Sequence, residues 1–425
     1  MKVCVIGGGS TYTPELVDGL LRRRLELDLH HLHLVDADAE RLAVLGPLAR
    51  RMCEREGGGV RVDWTTDRLE GLAGAGFVVS QIRVGGMAAR ERDEQLGRRF
   101  GLIGQETVGV GGFANALRTI PVALQIARDV QRVAPGATLL NFTNPAGLVT
   151  EALCRHGDVP TIGLCNVPWT VKAEVASALG ASAESVQFDY VGLNHLSWVR
   201  SVSVDGHDRT ADVLGRLRSA VGKQTDSGGE PSWSADAIGM LGAIPNYYLL
   251  YYYETEAWVR HQATNPTRAS EVMAIERALL QEYADPALDH KPEHLSKRGG
   301  AYYSEAAAAL MASLVCGDGS VHVVNVPNHG AIPGLPDDVV VEVSATIGAS
   351  GPRPLAVPAL RADVDALVRT VKDFELLTVQ AAVEGDEEAA LRALVTNPLG
   401  PDMSRAHEVW AALKEQNAGW LGALG

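Results

Sequence analysis

Cysteine is scarce in this chain: the five present (Cys4, Cys53, Cys154, Cys165 and Cys316) are an odd number, widely scattered, with no CxxC pair. That pattern excludes a disulfide scaffold and fits a reducing compartment. Positive charge is short as well, 38 Lys and Arg against 52 Asp and Glu, for a formal net charge of −14. A field of that sign repels polyanions, and no basic cluster interleaved with aromatics opposes it, so nucleic acid is not expected as a partner. Long apolar runs are missing, which removes a membrane span and a membrane partner from the expected picture. Internal repeats, low-complexity tracts and a P-loop are missing too. The first strand follows directly on Met1 and Lys2, leaving no room for a charged leader, an apolar segment and a cleavage site. The expected location is therefore the cytoplasm.

What is present is globular in composition, 46% hydrophobic and 21% charged over 425 residues. A chain of that length exceeds the size at which one core stops growing, so two lobes are expected. Short apolar runs at residues 2–6, 31–35, 77–82, 138–143 and 161–165 alternate with helical stretches, the signature of an α/β, Rossmann-like doubly wound parallel sheet. Beyond about residue 185 the pattern changes. Val186–Val191 and Leu196–Val204, the latter closing on Asp205-Gly206, read as antiparallel strands, and 301–316 and 362–384 read as helices. The expected division is a dinucleotide-binding domain at 1–185 and a mixed α+β domain at 186–425 for substrate, metal and oligomerisation. Gly222–Trp233, rich in Gly, Ser, Asp and Pro, is the expected mobile loop.

Ligands of open parallel sheets bind beyond the carboxyl ends of the strands. The distinctive residues fall there repeatedly. Gly7-Gly8-Gly9-Ser10-Thr11-Tyr12 follows the first strand, with Tyr12 where a GxGxxG turn has its third glycine, and Thr13-Pro14 reads as N-cap and first helical residue. Asp36 ends the next strand, placed to accept hydrogen bonds from an adenosine ribose and to repel a 2′-phosphate, which favours NAD over NADP. Arg83 follows the run at 77–82, Asn144 the run at 138–143, and Cys165-Asn166 the run at 161–165. The candidate cofactor contacts are thus Gly7, Gly9, Ser10, Thr11, Asp36, Arg83 and Asn144.

Taken singly, Cys165 and His195 are packing residues. Taken together at that crevice, with Asn166 and Asn194 beside them, they make an open metal site with few protein ligands. The run Tyr247-Tyr248-Leu249-Leu250-Tyr251-Tyr252-Tyr253 reads first as an aromatic helix face. A tyrosine in it serves as a base only if a cation lowers its pKa. Arg83, Arg90, Arg92, Arg118 and Arg268 read individually as surface residues, with Arg90, just past a strand end, the best placed to clamp an anion or hydroxyl.

In order along the chain, Gly7–Pro14, Val35-Asp36, Arg83–Glu94, Gly104–Phe113 with Arg118–Pro121, Asn141–Gly147, Gly163–Pro168, Gly192–Trp198, Ile244-Pro245 with the tyrosines, Arg298-Gly299-Gly300 and Asn325–Gly330 resemble glycoside hydrolase family 4. These are NAD- and divalent-metal-dependent glycosidases, and the likeness is greatest to the 6-phospho-β-glucosidases among them. The resemblance implies a lactate/malate dehydrogenase-like architecture, Mn²⁺ on Cys165 and His195, and sugar contacts from Asn144 and Asn166. It also implies Arg90 at the sugar, Arg268 near a phosphate, and a homodimer or homotetramer. Asn166 stands where α-acting members carry an acid, which favours β-glycosides. The base is most like Tyr248, with Tyr251 and Tyr252 as alternatives. The implied reaction oxidises sugar C3 transiently, deprotonates C2, eliminates the C1 substituent, adds water and recycles NAD, an exception to two-carboxylate hydrolysis. The alternatives are a family glycosidase acting on a non-phosphorylated or different sugar, an NAD-dependent hydroxy-acid dehydrogenase, and a non-catalytic nucleotide sensor.

Overall fold

The first six strands are short, and all but the one at the sheet edge are largely buried on both faces, as parallel strands between helical layers must be. They are β1 (Lys2–Ile6), β2 (His31–Val35), β3 (Arg61–Thr65), β4 (Phe77–Ser80), β5 (Thr138–Asn141) and β6 (Thr161–Gly163). They lie parallel in the order β3-β2-β1-β4-β5-β6, the doubly wound order. The computed structural model describes residues 1–221, 230–298 and 303–424. Residues 222–229 of the expected loop, and Gly299 and Gly300, lie outside them. Among the described residues no helix is long and apolar enough to cross a membrane.

The intervening helices are α1 (Thr13–Arg22), α2 (Ala39–Arg55), α3 (Arg68–Leu72), α4 (Gly86–Arg99), α5 (Gly109–Val133), α6 (Ala146–His156) and α7 (Val167–Leu179). Each has a local cause. In α1, Leu16, Val17, Leu20 and Leu21 form the buried stripe, and Gly19 lets the helix at Tyr303–Cys316 approach so closely that a Cβ there would lie 2.5 Å from Ser304 Cβ. Thr13 is not the cap expected of it. It is the first helical residue, and its hydroxyl donates instead to Gly8 O at 2.8 Å, bracing the glycine turn. Asp38 and Asp67 cap α2 and α3 by accepting from Arg41 N and from Leu69 N and Glu70 N. The strand β3, absent from the apolar runs, reads Arg-Val-Asp-Trp-Thr because it is the sheet edge, with only its Val62 fully covered.

A second sheet holds β7 (Val186–Leu193), β8 (Leu196–Val204), β9 (His207–Asp208) and β10 (Ile244–Pro245), all antiparallel. The strands β11 (Val321–Pro327), β12 (Val340–Gly348) and β13 (Gly351–Pro354) then return to the first sheet and extend it antiparallel beyond β6. Gly163 permits that join, because a Cβ there would meet Asn325 Cβ at 2.8 Å and Thr150 Oγ1 at 2.2 Å. The helices expected at 301–316 and 362–384 are present as Tyr303–Cys316 and Ala362–Glu384.

Arg118, read from sequence as a surface residue, is instead buried, 1% exposed. It donates to Asp93 Oδ2 at 2.6 Å, to Asn417 Oδ1 at 2.6 Å and to Val84 O at 3.0 Å, tying α5 to α4, to the loop after β4 and to the chain's end. Burial pushes the Asp93 carboxyl up to about 6, against the pull of Arg118, so the aspartate is held ionised only by its partner. Arg118→Ala leaves the buried Asp93 carboxyl without its partner, and a loss of about 3–5 kcal/mol is expected from urea unfolding. A loss below about 1 kcal/mol, the scale of an exposed pair, would show that the pair is not structurally important.

Candidate active site

A cleft of about 1470 Å³ opens along the carboxyl ends of β1 to β6. Ordinary small-ligand pockets run to about 300–1,000 Å³, so this one has room for two ligands side by side. Gly7, Gly9, Ser10, Asp36, Arg83, Arg90, Asn144, Asn166, Tyr248 and Arg268 all line it. Thr11 does not. It is fully buried beneath the turn, its hydroxyl donating to Glu276 Oε1 at 3.0 Å.

The glycine turn is made by close approach. Gly7 has φ +90°, its N–H and that of Gly8 both donate to Val35 O at 2.8 Å, and a Cβ on Gly8 would lie 2.7 Å from Leu34 Cβ. Asp36 accepts from Gly9 N at 2.8 Å and from Asp38 N at 3.0 Å, so the carboxylate fixes the turn while its edge faces the cleft. A Cβ at any of the three glycines would collide with the protein itself, at Gln81 O (2.8 Å), Leu34 Cβ (2.7 Å) or Arg41 Cβ (2.9 Å), so only glycine lets the turn close this tightly.

Cys165 follows β6 and His195 is the second residue of the two-residue turn between β7 and β8, at φ +64°. The sheet thereby turns the imidazole towards the thiol, and Sγ lies 3.5 Å from Nε2. The tautomer follows from the hydrogen bonds. Gln105 Oε1 accepts from Thr107 N, Val108 N and Thr107 Oγ1, so the threonine's single proton is spent there. Its oxygen therefore accepts from His195 Nδ1–H at 2.9 Å, leaving the Nε2 lone pair facing the sulfur. Burial lowers the imidazole's pKa to about 3, so it is neutral, the ligating form.

A thiolate and an imidazole bound to one cation at about 2.3 and 2.1 Å near the tetrahedral angle stand about 3.6 Å apart, close to what these donors show. The charges around them also suit a cation. Burial pushes the Cys165 thiol up to about 12, the nearby Glu342 carboxylate pushing the same way. Glu342 is itself raised by burial, although Asn194, Asn325, Tyr190 and Ser197 all donate to it. A divalent ion facing Sγ reverses that balance and holds the sulfur as thiolate.

Tyr248 stacks on the His195 ring, centroids 3.6 Å apart and planes 7° from parallel. Asn246 places it: its amide donates to Ser197 Oγ at 3.0 Å, and its carbonyl accepts from Tyr248 N at 3.0 Å. Burial raises the phenol well above its usual range, Cys165 and Glu106 add to this, and Arg90 opposes it. Tyr251 also reaches the cleft but packs on Trp258 at 4.8 Å, and Tyr252 packs against the main core.

Arg90 is held by Glu94 Oε1 at 2.7 Å and Glu106 Oε1 at 3.0 Å, and Glu106 also pairs with Arg83. Arg268 is half-exposed at the rim, 2.8 Å from Glu271. Arg298 lies over the Tyr12 ring at 3.9 Å and pairs with Glu276 at 2.6 Å. Sequence reasoning assigned no role to Glu106, Thr107, Arg298 or Glu342. For Glu342 a signal existed, a lone acid in the apolar strand Val-Val-Glu-Val-Ser-Ala-Thr.

A model described as family 4 glycosyl hydrolase matches residues 2–181, and one for that family's C-terminal domain matches residues 190–400. The chain is 41% identical to a Bacillus subtilis (strain 168) protein named "Probable 6-phospho-beta-glucosidase", over 99% of this chain and 97% of that one. The structure of the 6-phospho-beta glucosidase from Thermotoga maritima with manganese, NAD⁺ and glucose-6-phosphate matches with a TM-score of 0.93 at 35% identity, covering 99% of each chain. A malate dehydrogenase from Plasmodium falciparum shares the fold alone, with a TM-score of 0.55 at 13% identity over 90% of this chain and 99% of that one.

Burial alone would raise the Glu106 carboxyl, but Arg83 and Arg90 hold it down at about 2, against an ordinary 4.5. Because the folded value lies below the unfolded one, the stabilisation is complete above about pH 4.5 and is lost as pH falls towards 2. It amounts to about 3 kcal/mol at neutral pH. Glu106→Gln is expected to flatten the fall of unfolding free energy across that acid window; curves parallel to the parent's would show that the carboxylate is not held by its arginines.

Proposed function

The chain belongs to family 4 of the glycosyl hydrolases, and on that premise we propose that it hydrolyses 6-phospho-β-glucosides such as cellobiose 6-phosphate, using NAD and a divalent metal, Mn²⁺ foremost. The observation that carries the reading is the facing pair Cys165 Sγ and His195 Nε2, 3.5 Å apart beneath a cleft that begins at a dinucleotide turn. Gly7, Gly9, Ser10, Asp36, Arg83 and Asn144 would hold NAD, and Cys165 and His195 the metal. When bound, NAD would supply a hydride acceptor for sugar C3, and the metal would supply positive charge to stabilise negative charge developing on the sugar.

The chain's own groups do the rest. Asn144, Asn166 and Arg90 fix the hydroxyls, Arg90 being pre-oriented by Glu94 and Glu106. Arg268 at the rim, backed by the other arginines of the cleft, takes the 6-phosphate, which the protein's net negative field would otherwise repel. Tyr248 removes the C2 proton, the stack on His195 holding its phenol beside the metal pair. The C1 substituent then departs and water completes the hydrolysis. Asn166, neutral and free of any capping bond on α7, stands next to Cys165 without an acid's charge, which supports the β-anomer. The reading extends to a homodimer or homotetramer in the cytoplasm, with lobes divided near residue 185.

The test compares p-nitrophenyl 6-phospho-β-glucoside with its α-anomer and with the unphosphorylated β-glucoside. Turnover of the first alone is expected, requiring both NAD and metal, with deuterium at C2 of product formed in heavy water and no net NADH. Full turnover under chelation, or steady NADH accumulation as in a dehydrogenase, contradicts the proposal. Tyr248→Phe is expected to lower kcat by about 10²–10⁴-fold, while the corresponding changes at Tyr251 and Tyr252 act mainly on stability. Thr107→Val removes the bond that sets the His195 tautomer, and a metal affinity about 10–100-fold weaker is expected from Mn²⁺ titration. Unchanged affinity would remove Thr107 from the account.

A further inference from the structure

A second cluster of ligating groups lies at the other end of β2, away from the cleft. His31 and His33 alternate along the strand and so share one face of the sheet, and the β2–β3 register sets His33 opposite Asp63. One ligand atom from each of the three lies within 4.8 Å of the others. They line a cavity of about 350 Å³ near the sheet edge, together with Lys2, Arg61 and Glu70. None of the three lines the large cleft. His31 stands five residues before Asp36, about 16 Å along the strand.

His33 is the unusual member. It is 5% exposed, and both ring nitrogens are buried with no hydrogen-bond partner among the described residues. Buried polar atoms are satisfied in the great majority of cases, so an imidazole lacking a bond at either nitrogen calls for an explanation. Its neighbours supply one. The His31 ring is 5.5 Å away, and His31 Nε2 lies 2.9 Å from Asp63 Oδ2, so a second imidazole and a carboxylate oxygen already converge beside it. Nearby positive charge is tied elsewhere or mobile: Lys2 Nζ donates to Ala73 O at 2.7 Å, Arg50 lies over the Trp64 ring at 4.5 Å and donates to Val62 O at 3.3 Å, and Arg61, 2.6 Å from Asp63, has a side chain 73% exposed that can swing into solvent.

We propose that His31, His33 and Asp63 form a metal site distinct from the cleft, which binds Zn²⁺ through two imidazoles and one carboxylate with a fourth position open to water. Two nitrogens and one oxygen in an open site suit zinc, whose tetrahedral preference matches three protein ligands and one water. The ion would give one of the two His33 nitrogens a partner and pin the edge strand β3 to β2, a fastening of structure. It does not depend on the proposed reaction.

The experiment uses the full chain, stripped with chelator and titrated with Zn²⁺ by calorimetry, with zinc content and X-ray absorption measured on the loaded protein. In Cys165→Ala protein, whose cleft pair is broken, about one equivalent of zinc is expected to remain, with nitrogen and oxygen neighbours at about 2.0–2.1 Å and a raised melting temperature. Adding His31→Ala and Asp63→Asn to that protein is expected to abolish this equivalent. Both substituted positions are partly exposed, and circular dichroism verifies the fold. Cys165→Ala protein that binds no zinc, or whose zinc survives the added substitutions, overturns the proposal. In the parent chain, the same two substitutions remove one of two equivalents if the cleft pair also takes zinc, and the sole equivalent if it does not, so failure of either site is read separately.

Discussion

The contact between a cysteine sulfur and a histidine nitrogen, 3.5 Å apart, is the constraint around which much of this protein is arranged. The two residues come from different sheets, Cys165 from the end of β6 and His195 from the turn joining β7 and β8. Bringing them together requires a left-handed histidine, a threonine-glutamine relay at the start of α5, and a buried glutamate on β12 surrounded by donors. Each support belongs to a different stretch of chain. The return of β11 to β13 to the first sheet, unremarkable as topology, is what delivers Glu342 to the back of this pair.

The electrostatics run on two scales. At long range the chain is acidic, with a net charge of −14. Within the cleft, arginines are gathered and oriented by acids that they in turn keep ionised, as Glu106 does for Arg83 and Arg90. An anionic ligand therefore meets positive charge only where several guanidinium groups converge. Around Cys165 the balance is reversed, with a buried thiol, a buried carboxyl and a buried phenol that all resist ionisation unless a cation stands among them.

The parallel sheet was legible because its strands are apolar on both faces and its turns carry Gly7, Asp36, Arg83, Asn144 and Cys165 at the ends where ligands bind. That rule yields the floor of the cleft, but not the wall that Tyr248, Trp258, Arg268, Glu276 and Arg298 build from later segments. Thr11 escaped it because the turn points this side chain inward, to Glu276 from the helix at Arg268–Tyr283, a contact spanning 265 residues that no local pattern encodes. Arg118 misled for a related reason, since its partners Asp93 and Asn417 come from distant segments. The edge strand β3 was hidden by its own polarity, and the antiparallel extension by β11 to β13 rests on tertiary pairing at Gly163 and Asn325. The tyrosine run gave three possible bases. Stacking on His195, which only coordinates reveal, distinguishes Tyr248.

The most direct measurement is the absorption spectrum of the chelator-stripped protein reloaded with Co²⁺. A cation held by Cys165 and His195 gives a thiolate-to-metal charge-transfer band that disappears in Cys165→Ser protein and persists in Cys154→Ser protein. A parent spectrum without that band, or a band indifferent to Cys165, would contradict the account.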